Sequence, residues 1–320
     1  MRDTDYAYAV AAVRSRENGL LTRQETESML TSPDSDACLS RLASKGWGEH
    51  GTSMTEGKLI DSRSARLWSF IGEIVPDPAV FDFFRIPNDY HNLKAAIKAF
   101  IMSQDAERLF IEPCTVDTKL IREAVKERDY SLLPEKMRGC AEDAFRMLLE
   151  QRNGQLCDIV LDRASLEASY ASAKEYGGLL LEIAKLYVLK ANIKTAWRCA
   201  AQKRPQSFIK RALAVTDCAP DAEALTAAAL SGCDAIIELL KSVDPELGQA
   251  LSGGDIEEFG KACDIRRSRL CDSAKYTPLG SDPIVAYIVA TENEIRNVRL
   301  ILTGKRNGIS DERISEKLIF

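Results

Sequence analysis

The residues able to do chemistry in this chain are few and scattered. Two histidines, His50 and His91, and nine cysteines, Cys38, Cys114, Cys140, Cys157, Cys199, Cys218, Cys233, Cys263 and Cys271, are the usual metal ligands and nucleophiles. No Cys-x-x-Cys occurs, and neither a second histidine nor a paired cysteine accompanies His91, so no zinc or di-iron site is expected. His91 reads as a packed or exposed helical residue rather than a proton shuttle. The thiols lack activating neighbours and read as small core residues. Their odd number, with no secretory leader after Met1-Arg2-Asp3-Thr4-Asp5, points to free thiols in a reducing cytosol. A phosphate loop is absent: Gly57-Lys58-Leu59, Gly260-Lys261-Ala262 and Gly304-Lys305-Arg306 lack the first glycine and the hydroxyl residue. Glu142-Asp143 is an acidic pair, but neighbours on a helix point about 100° apart and do not chelate together. No catalytic residue and no cofactor or metal site is therefore assigned.

What does recur is an amide. Asn92-Leu93-Lys94, Asn192-Ile193-Lys194 and Asn297-Val298-Arg299 repeat asparagine, aliphatic, base, with the asparagines 100 and 105 residues apart. One, four and five residues on stand Leu93, Ala96, Ile97; Ile193, Ala196, Trp197; and Val298, Ile301, Leu302. On a helix these offsets fall at about 100°, 40° and 140° from the asparagine and form one apolar stripe with the amide on its shoulder. Asn92, Asn192 and Asn297 could form a ligand-binding ring. The favoured reading is structural: each amide satisfies buried polar groups where a core helix packs, marking equivalent joints in a repeated unit. Three residues before the asparagines stand Asp89, Leu189 and Glu294. Asp89 reads as a charge near a helix start; Glu294 is mid-helix, and its partner is left open.

The elements that must position these residues are helical throughout. Thr22 with Glu25 makes a capping box, Ser32-Pro33-Asp34-Ser35 opens a helix to Gly46-Trp47-Gly48, and the polar, glycine-rich stretch from Glu49 to Gly57 is expected to be mobile. A helix follows over Ser62–Ile74. Pro87-Asn88 punctuates before the first asparagine helix, which runs from Asp89 to about Met102. Asp117, Pro134 and Pro220-Asp221 mark further helix starts, and Pro245 starts another turn. A helix over Gln155–Leu166 gives way, after about Ser169, to a long helix through Trp197 that is apolar on most faces, and Phe208–Val215 adds another. The last long helix carries Ile284, Ile288, Thr291, Ile295, Val298 and Leu302, a packed seam ended by Gly304 and Gly308. Alternating β-branched runs are missing. The expectation is an all-α protein of three similar units, 1–104, 105–205 and 206–320. A net charge of −5 argues against a nucleic-acid partner. The basic clusters at Lys203-Arg204, Lys210-Arg211, Arg266-Arg267-Arg269 and Lys305-Arg306 read as solvated helix ends. The most apolar stretch, Gly177–Leu189, is interrupted by Glu182 and Lys185, well short of the roughly 20 residues that span a bilayer.

Three stretches together resemble a known family: Tyr6-Ala7-Tyr8-Ala9-Val10-Ala11-Ala12-Val13-Arg14, Asp89-Tyr90-His91-Asn92-Leu93-Lys94, and Glu292-Asn293-Glu294-Ile295-Arg296-Asn297-Val298-Arg299-Leu300-Ile301-Leu302-Thr303-Gly304-Lys305. The family is the C-type subunit of the archaeal/bacterial V-type (A/V-type) ATPase, counterpart of the d-type subunit of the vacuolar ATPase. The resemblance covers essentially the whole chain; its middle copy, Leu186 to Lys194, is looser. It implies a funnel-like all-α protein with pseudo-three-fold symmetry and no enzymatic activity of its own. Such a protein would be held peripherally at the cytoplasmic face, with the membrane proteolipid rotor ring and the central-stalk subunits as partners, and would pass torque between them. The short helices near Asp36–Trp47, Glu135–Leu149 and Asp234–Leu251 are the candidates for ring contact. The alternative is an all-helical scaffold with soluble partners.

Overall fold

The computed structural model describes residues 2–48 and 55–320. Residues 49–54, with His50 and most of the stretch expected to be mobile, lie outside the described residues. The protein is all-α, and no strand occurs among the described residues. The helices are α1 (Ala7–Glu17), α2 (Arg23–Leu30), α3 (Ser35–Ser44), α4 (Glu56–Ile74), α5 (Ile86–Ile101), α6 (Thr118–Glu127), α7 (Glu135–Leu149), α8 (Gly154–Tyr176), α9 (Gly178–Ala201), α10 (Gln206–Ala212), α11 (Ala222–Ser231), α12 (Cys233–Val243), α13 (Pro245–Leu251), α14 (Ile256–Leu270), α15 (Asp282–Arg306) and α16 (Asp311–Ser315). None is long and apolar enough to cross a membrane.

Starts are written in short polar residues. Thr22 accepts from the Glu25 N–H while Glu25 reaches back to the Thr22 N–H, the reciprocal box expected. Asp34, Asp117, Asn153, Asp221 and Asp244 cap α3, α6, α8, α11 and α13 through side-chain oxygens. Several boundaries differ from the sequence reading. Helix α4 begins at Glu56 rather than Ser62 and takes in Gly57, the end of the stretch expected to be mobile. Pro87 sits inside the first turn of α5, where its missing N–H costs nothing, so α5 begins before the punctuation rather than after it. The apolar pattern of α8 does not stop near Ser169; the helix runs to Tyr176 and breaks at Gly177, whose φ of 73° suits glycine. Helix α10 ends at Ala212, and Leu213 turns extended. Gly304 does not end α15. It gives room for Ile314, whose Cδ1 would lie 2.5 Å from a Cβ placed there.

The chain divides into two compact bodies, Met1–Pro78 with Asp264–Phe320, and Ala79–Cys263. In the second body, α8 packs on α5, α7 and α9, and its core gathers Leu93, Ile97, Ile121, Leu133, Ala141, Cys157 and Leu161. Helix α9 buries Leu180, Ile183, Ile193 and Ala196 and packs on α11 and α12. In the first body, α15 is the central helix and packs on α1, α2, α3 and α4. Met29, Leu30, Cys38, Leu42, Trp47 and Leu59 close over Val298, Ile301 and Leu302.

Candidate functional site

The three asparagines occupy α5, α9 and α15, and each is buried. Each makes the same pair of bonds. Asn92 Nδ2 donates to the Ile111 carbonyl at 3.0 Å, and its Oδ1 accepts from the Ile111 N–H at 2.7 Å. Asn192 pairs both ways with Ala214, at 2.9 Å in each direction. Asn297 donates to the Ile319 carbonyl at 2.6 Å and accepts from its N–H at 3.1 Å. A carboxamide is a peptide group in miniature, so it can pair edge to edge with a backbone unit as a strand would. In each case it does so with a segment lying 19 or 22 residues further along the chain. The amides are spent on backbone. Asn92 and Asn192 belong to one body and Asn297 to the other.

Acids three residues before two of the asparagines hold adjacent chain. Asp89 Oδ1 accepts from the Thr115 and Val116 N–H groups at 2.7 and 3.1 Å, and Oδ2 from the Thr115 hydroxyl at 2.5 Å. Asp89 is thus a tertiary acceptor as well as a first-turn acid, and Asn88 adds a bond to the Pro113 carbonyl at 2.8 Å. Burial pushes the Asp89 carboxyl up, opposed by the Thr115 hydroxyl and these N–H donors. Glu294 accepts from the Leu21 N–H at 2.7 Å through Oε1, and from Arg63 Nε and Nη2 at 3.0 and 2.8 Å through Oε2. Burial raises this carboxyl too, against the Arg63 charge. The partner left open by the sequence is therefore a base from α4 and a backbone N–H from the α1–α2 connection. Nothing in the local pattern around Glu294 announced either.

The remaining candidates are accounted for by ordinary contacts. A ring nitrogen of His91 lies 3.1 Å from the Leu109 carbonyl oxygen and donates to it. All nine cysteines are free. Burial pushes the thiol of Cys157 up to about 11 and those of Cys140 and Cys271 to about 12, the opposite of nucleophile activation. Among the described residues no group of three or more His, Cys, Asp or Glu is placed to hold a metal. The basic clusters sit at or just past helix ends and are largely engaged: Lys210 with Glu223, Arg204 with Gln155, Arg267 with Glu292, Lys305 with Asp311 and Arg306 with Glu56. A cleft of about 300 Å³ lies in the first body beside Glu294 and Asn297, walled by Leu20, Leu21, Ile319 and Phe320.

The site is thus a set of joints between buried amides and the backbone of segments further along the chain. A family model described as ATP synthase (C/AC39) subunit matches residues 9–317, and the chain belongs to that family. Among curated relatives, the V-type sodium ATPase C-type subunit of Enterococcus hirae is 22% identical over 314 residues, covering 96% of this chain and 95% of the relative. The A-type ATP synthase C-type subunit of Methanocaldococcus jannaschii is 22% identical over 345 residues, covering 98% and 86%. That of Thermococcus gammatolerans is 24% identical over 347 residues, covering 98% and 89%.

Proposed function

We propose that this protein is a non-catalytic central-stalk subunit of a V/A-type ATPase. It seats on the membrane proteolipid ring at the cytoplasmic face, receives the end of the central stalk, and passes torque between the two. The observation that carries this reading is the family match over residues 9–317, which leaves no large part of the chain for another activity. A coupler has to be stiff and to present broad surfaces at both ends. The asparagine joints supply stiffness, because a buried amide paired twice with backbone leaves a helix and its adjoining segment little freedom to slide. Asn92, Asn192 and Asn297 are on this reading the repeated structural signature of three helical units, and not contact residues.

The helices proposed to meet the ring are α3, α7 and the α12–α13 pair, which hold comparable places in the three units. Leu149 at the end of α7 and Val243 at the end of α12 are apolar and exposed, as a surface meant for a partner would be. The test is co-purification from native membranes in mild detergent. Tagged protein should bring down a small, very apolar proteolipid together with central-stalk subunits. Recovery of the tagged chain alone at low salt, from cells that contain the ATPase, overturns the reading; recovery with soluble proteins only supports the scaffold instead.

A further inference from the structure

The first two asparagine helices are served by the chain that follows them. Helix α5 packs on α6 and α7, and α9 on α11 and α12. In both, the segment clamped by the amide leads into an Asp-capped helix: Ile111 to Asp117 and α6, Ala214 to Asp221 and α11. Helix α15 packs instead on α2 and α3, which end at Ser44 although α15 begins only at Asp282. The place taken by Thr115, Val116 and Asp117 against Asp89 is taken here by Leu21 and Thr22 against Glu294: the Leu21 N–H bonds the acid, and Thr22 caps α2. The clamped segment itself runs up to that cap, since the Arg23 guanidinium lies 4.8 Å over the Phe320 ring.

We propose that α15, the 309–320 segment and the α2–α3 pair form a third copy of the same module, assembled from two distant stretches of chain, and that this seam is the joint at which the first body opens. In the other two copies the peptide backbone runs directly from the clamped segment into the capped helix. In this copy side chains and single hydrogen bonds bridge that step. They are the Asn297 pair with Ile319, Glu294 with Leu21 and Arg63, Lys305 with the Leu30 carbonyl and Asp311, and the apolar contacts of Met29, Leu30, Cys38 and Leu42 with Val298, Ile301 and Leu302. The cleft of about 300 Å³ lies along the same line, with Leu20, Leu21 and Thr26 from one stretch and Ile319 and Phe320 from the other among its lining. Opening there releases the α4 side chains Leu59, Arg63 and Arg66 from the seam while α4 keeps its own helical hydrogen bonds, so α2, α3 and 309–320 exchange as one sub-global unit. Glu294 with Arg63 then acts as a positioning pair that replaces the missing covalent continuity.

The experiment is native-state hydrogen exchange read by mass spectrometry on the full chain, in wild type and in Asn297→Ala, Glu294→Gln and Asn92→Ala. In wild type, peptides from α2, α3 and 309–320 should exchange together, at least about tenfold faster than peptides from α4, α6–α7 and α11–α12. Asn297→Ala and Glu294→Gln should speed α2, α3 and 309–320 by about tenfold more and leave the second body unchanged. Asn92→Ala should speed only the 109–117 segment. Exchange of α2–α3 at the same rate as α4 overturns the proposal, and so does fast exchange of 309–320 that spares α2–α3, which is fraying of one segment alone. The wild-type comparison decides the matter even if Asn297→Ala does not fold.

Discussion

Asn192 offers the cleanest measure of what an asparagine joint is worth. Both of its bonds go to one residue, both are 2.9 Å, and donor and acceptor are buried on each side. Truncation to alanine leaves the Ala214 N–H and carbonyl unpaired out of reach of water. At about 1–3 kcal/mol for each orphaned group, with some relaxation shared between two groups on one peptide, Asn192→Ala should cost about 2–4 kcal/mol. For a body of this size that is a fall of roughly 5–12 °C in the melting step of the second body. The sharper variant is Asn192→Asp, which keeps size and shape. Ionised, it still accepts from the Ala214 N–H, but its second oxygen faces the Ala214 carbonyl where an N–H stood. Protonated, its O–H restores the lost bond. Burial raises this carboxyl above its unfolded value. Its contribution is therefore full below the unfolded carboxylate range, near pH 4, and is lost as pH rises through the raised folded value. Urea unfolding of Asn192→Asp and wild type in parallel should show a deficit of about 2–4 kcal/mol at pH 8 that shrinks to within about 1 kcal/mol near pH 4.5. Reference to wild type at each pH removes the acid sensitivity of other carboxylates, such as Asp217, held down to about 2 by Lys174 and Tyr170. A deficit below about 1 kcal/mol for Asn192→Ala, or one for Asn192→Asp that does not vary with pH, refutes the bidentate role.

Two further perturbations test the packing around the joints. Arg63→Met removes the base from Glu294, whose side chain is 4% exposed, and strands a buried charge; a loss of about 3–5 kcal/mol at neutral pH is expected, easing as acid neutralises Glu294, read by thermal melts across pH. Gly248→Ala places a Cβ 2.6 Å from the Cα of Lys241 and 2.7 Å from its N; backbone cannot swing aside as a side-chain tip can, so the usual helical gain from alanine is outweighed and a net loss of about 1–3 kcal/mol should appear in urea unfolding.

The parts of the molecule that were legible in the sequence are those fixed by neighbours in the chain. The capping box at Thr22 and the apolar stripe beside each asparagine need only a few consecutive residues. Pro87 misled because proline is equally at home ending one element and beginning the next. Gly304 misled for a different reason: its cause is Ile314, a contact outside the helix that no local pattern encodes. The same limit applies to the joints. The spacing of Asn92, Asn192 and Asn297 singled out these three amides, but the partners, Ile111, Ala214 and Ile319, are bonded through backbone. Backbone carries no side-chain signature, so the clamped segment could not be named beforehand.

The three positions preceding the asparagines show how the chain path governs chemistry at otherwise comparable places. After Asn92, the backbone returns within a short connection, and the short Asp89 carboxylate reaches the Thr115 and Val116 N–H groups unaided. After Asn192, Leu189 stands in that place, and Val215 is held instead by Glu167 from α8, at 2.8 Å to its N–H. At Asn297 the receiving segment arrives from the other side of the sequence, so no covalent link sets its distance. The longer Glu294 spans to Leu21 while Arg63 holds its second oxygen and compensates the buried charge. At the middle joint Glu167 likewise has a counter-ion, Arg163, at 2.8 Å, but that pair is part-exposed, whereas the Glu294 side chain is buried and its charge is the costlier to hold. Shortening Glu294 to aspartate should therefore detach Leu21, read as faster exchange of its amide than in Glu294→Gln, because the same-length Gln keeps that bond and loses only the attraction of Arg63.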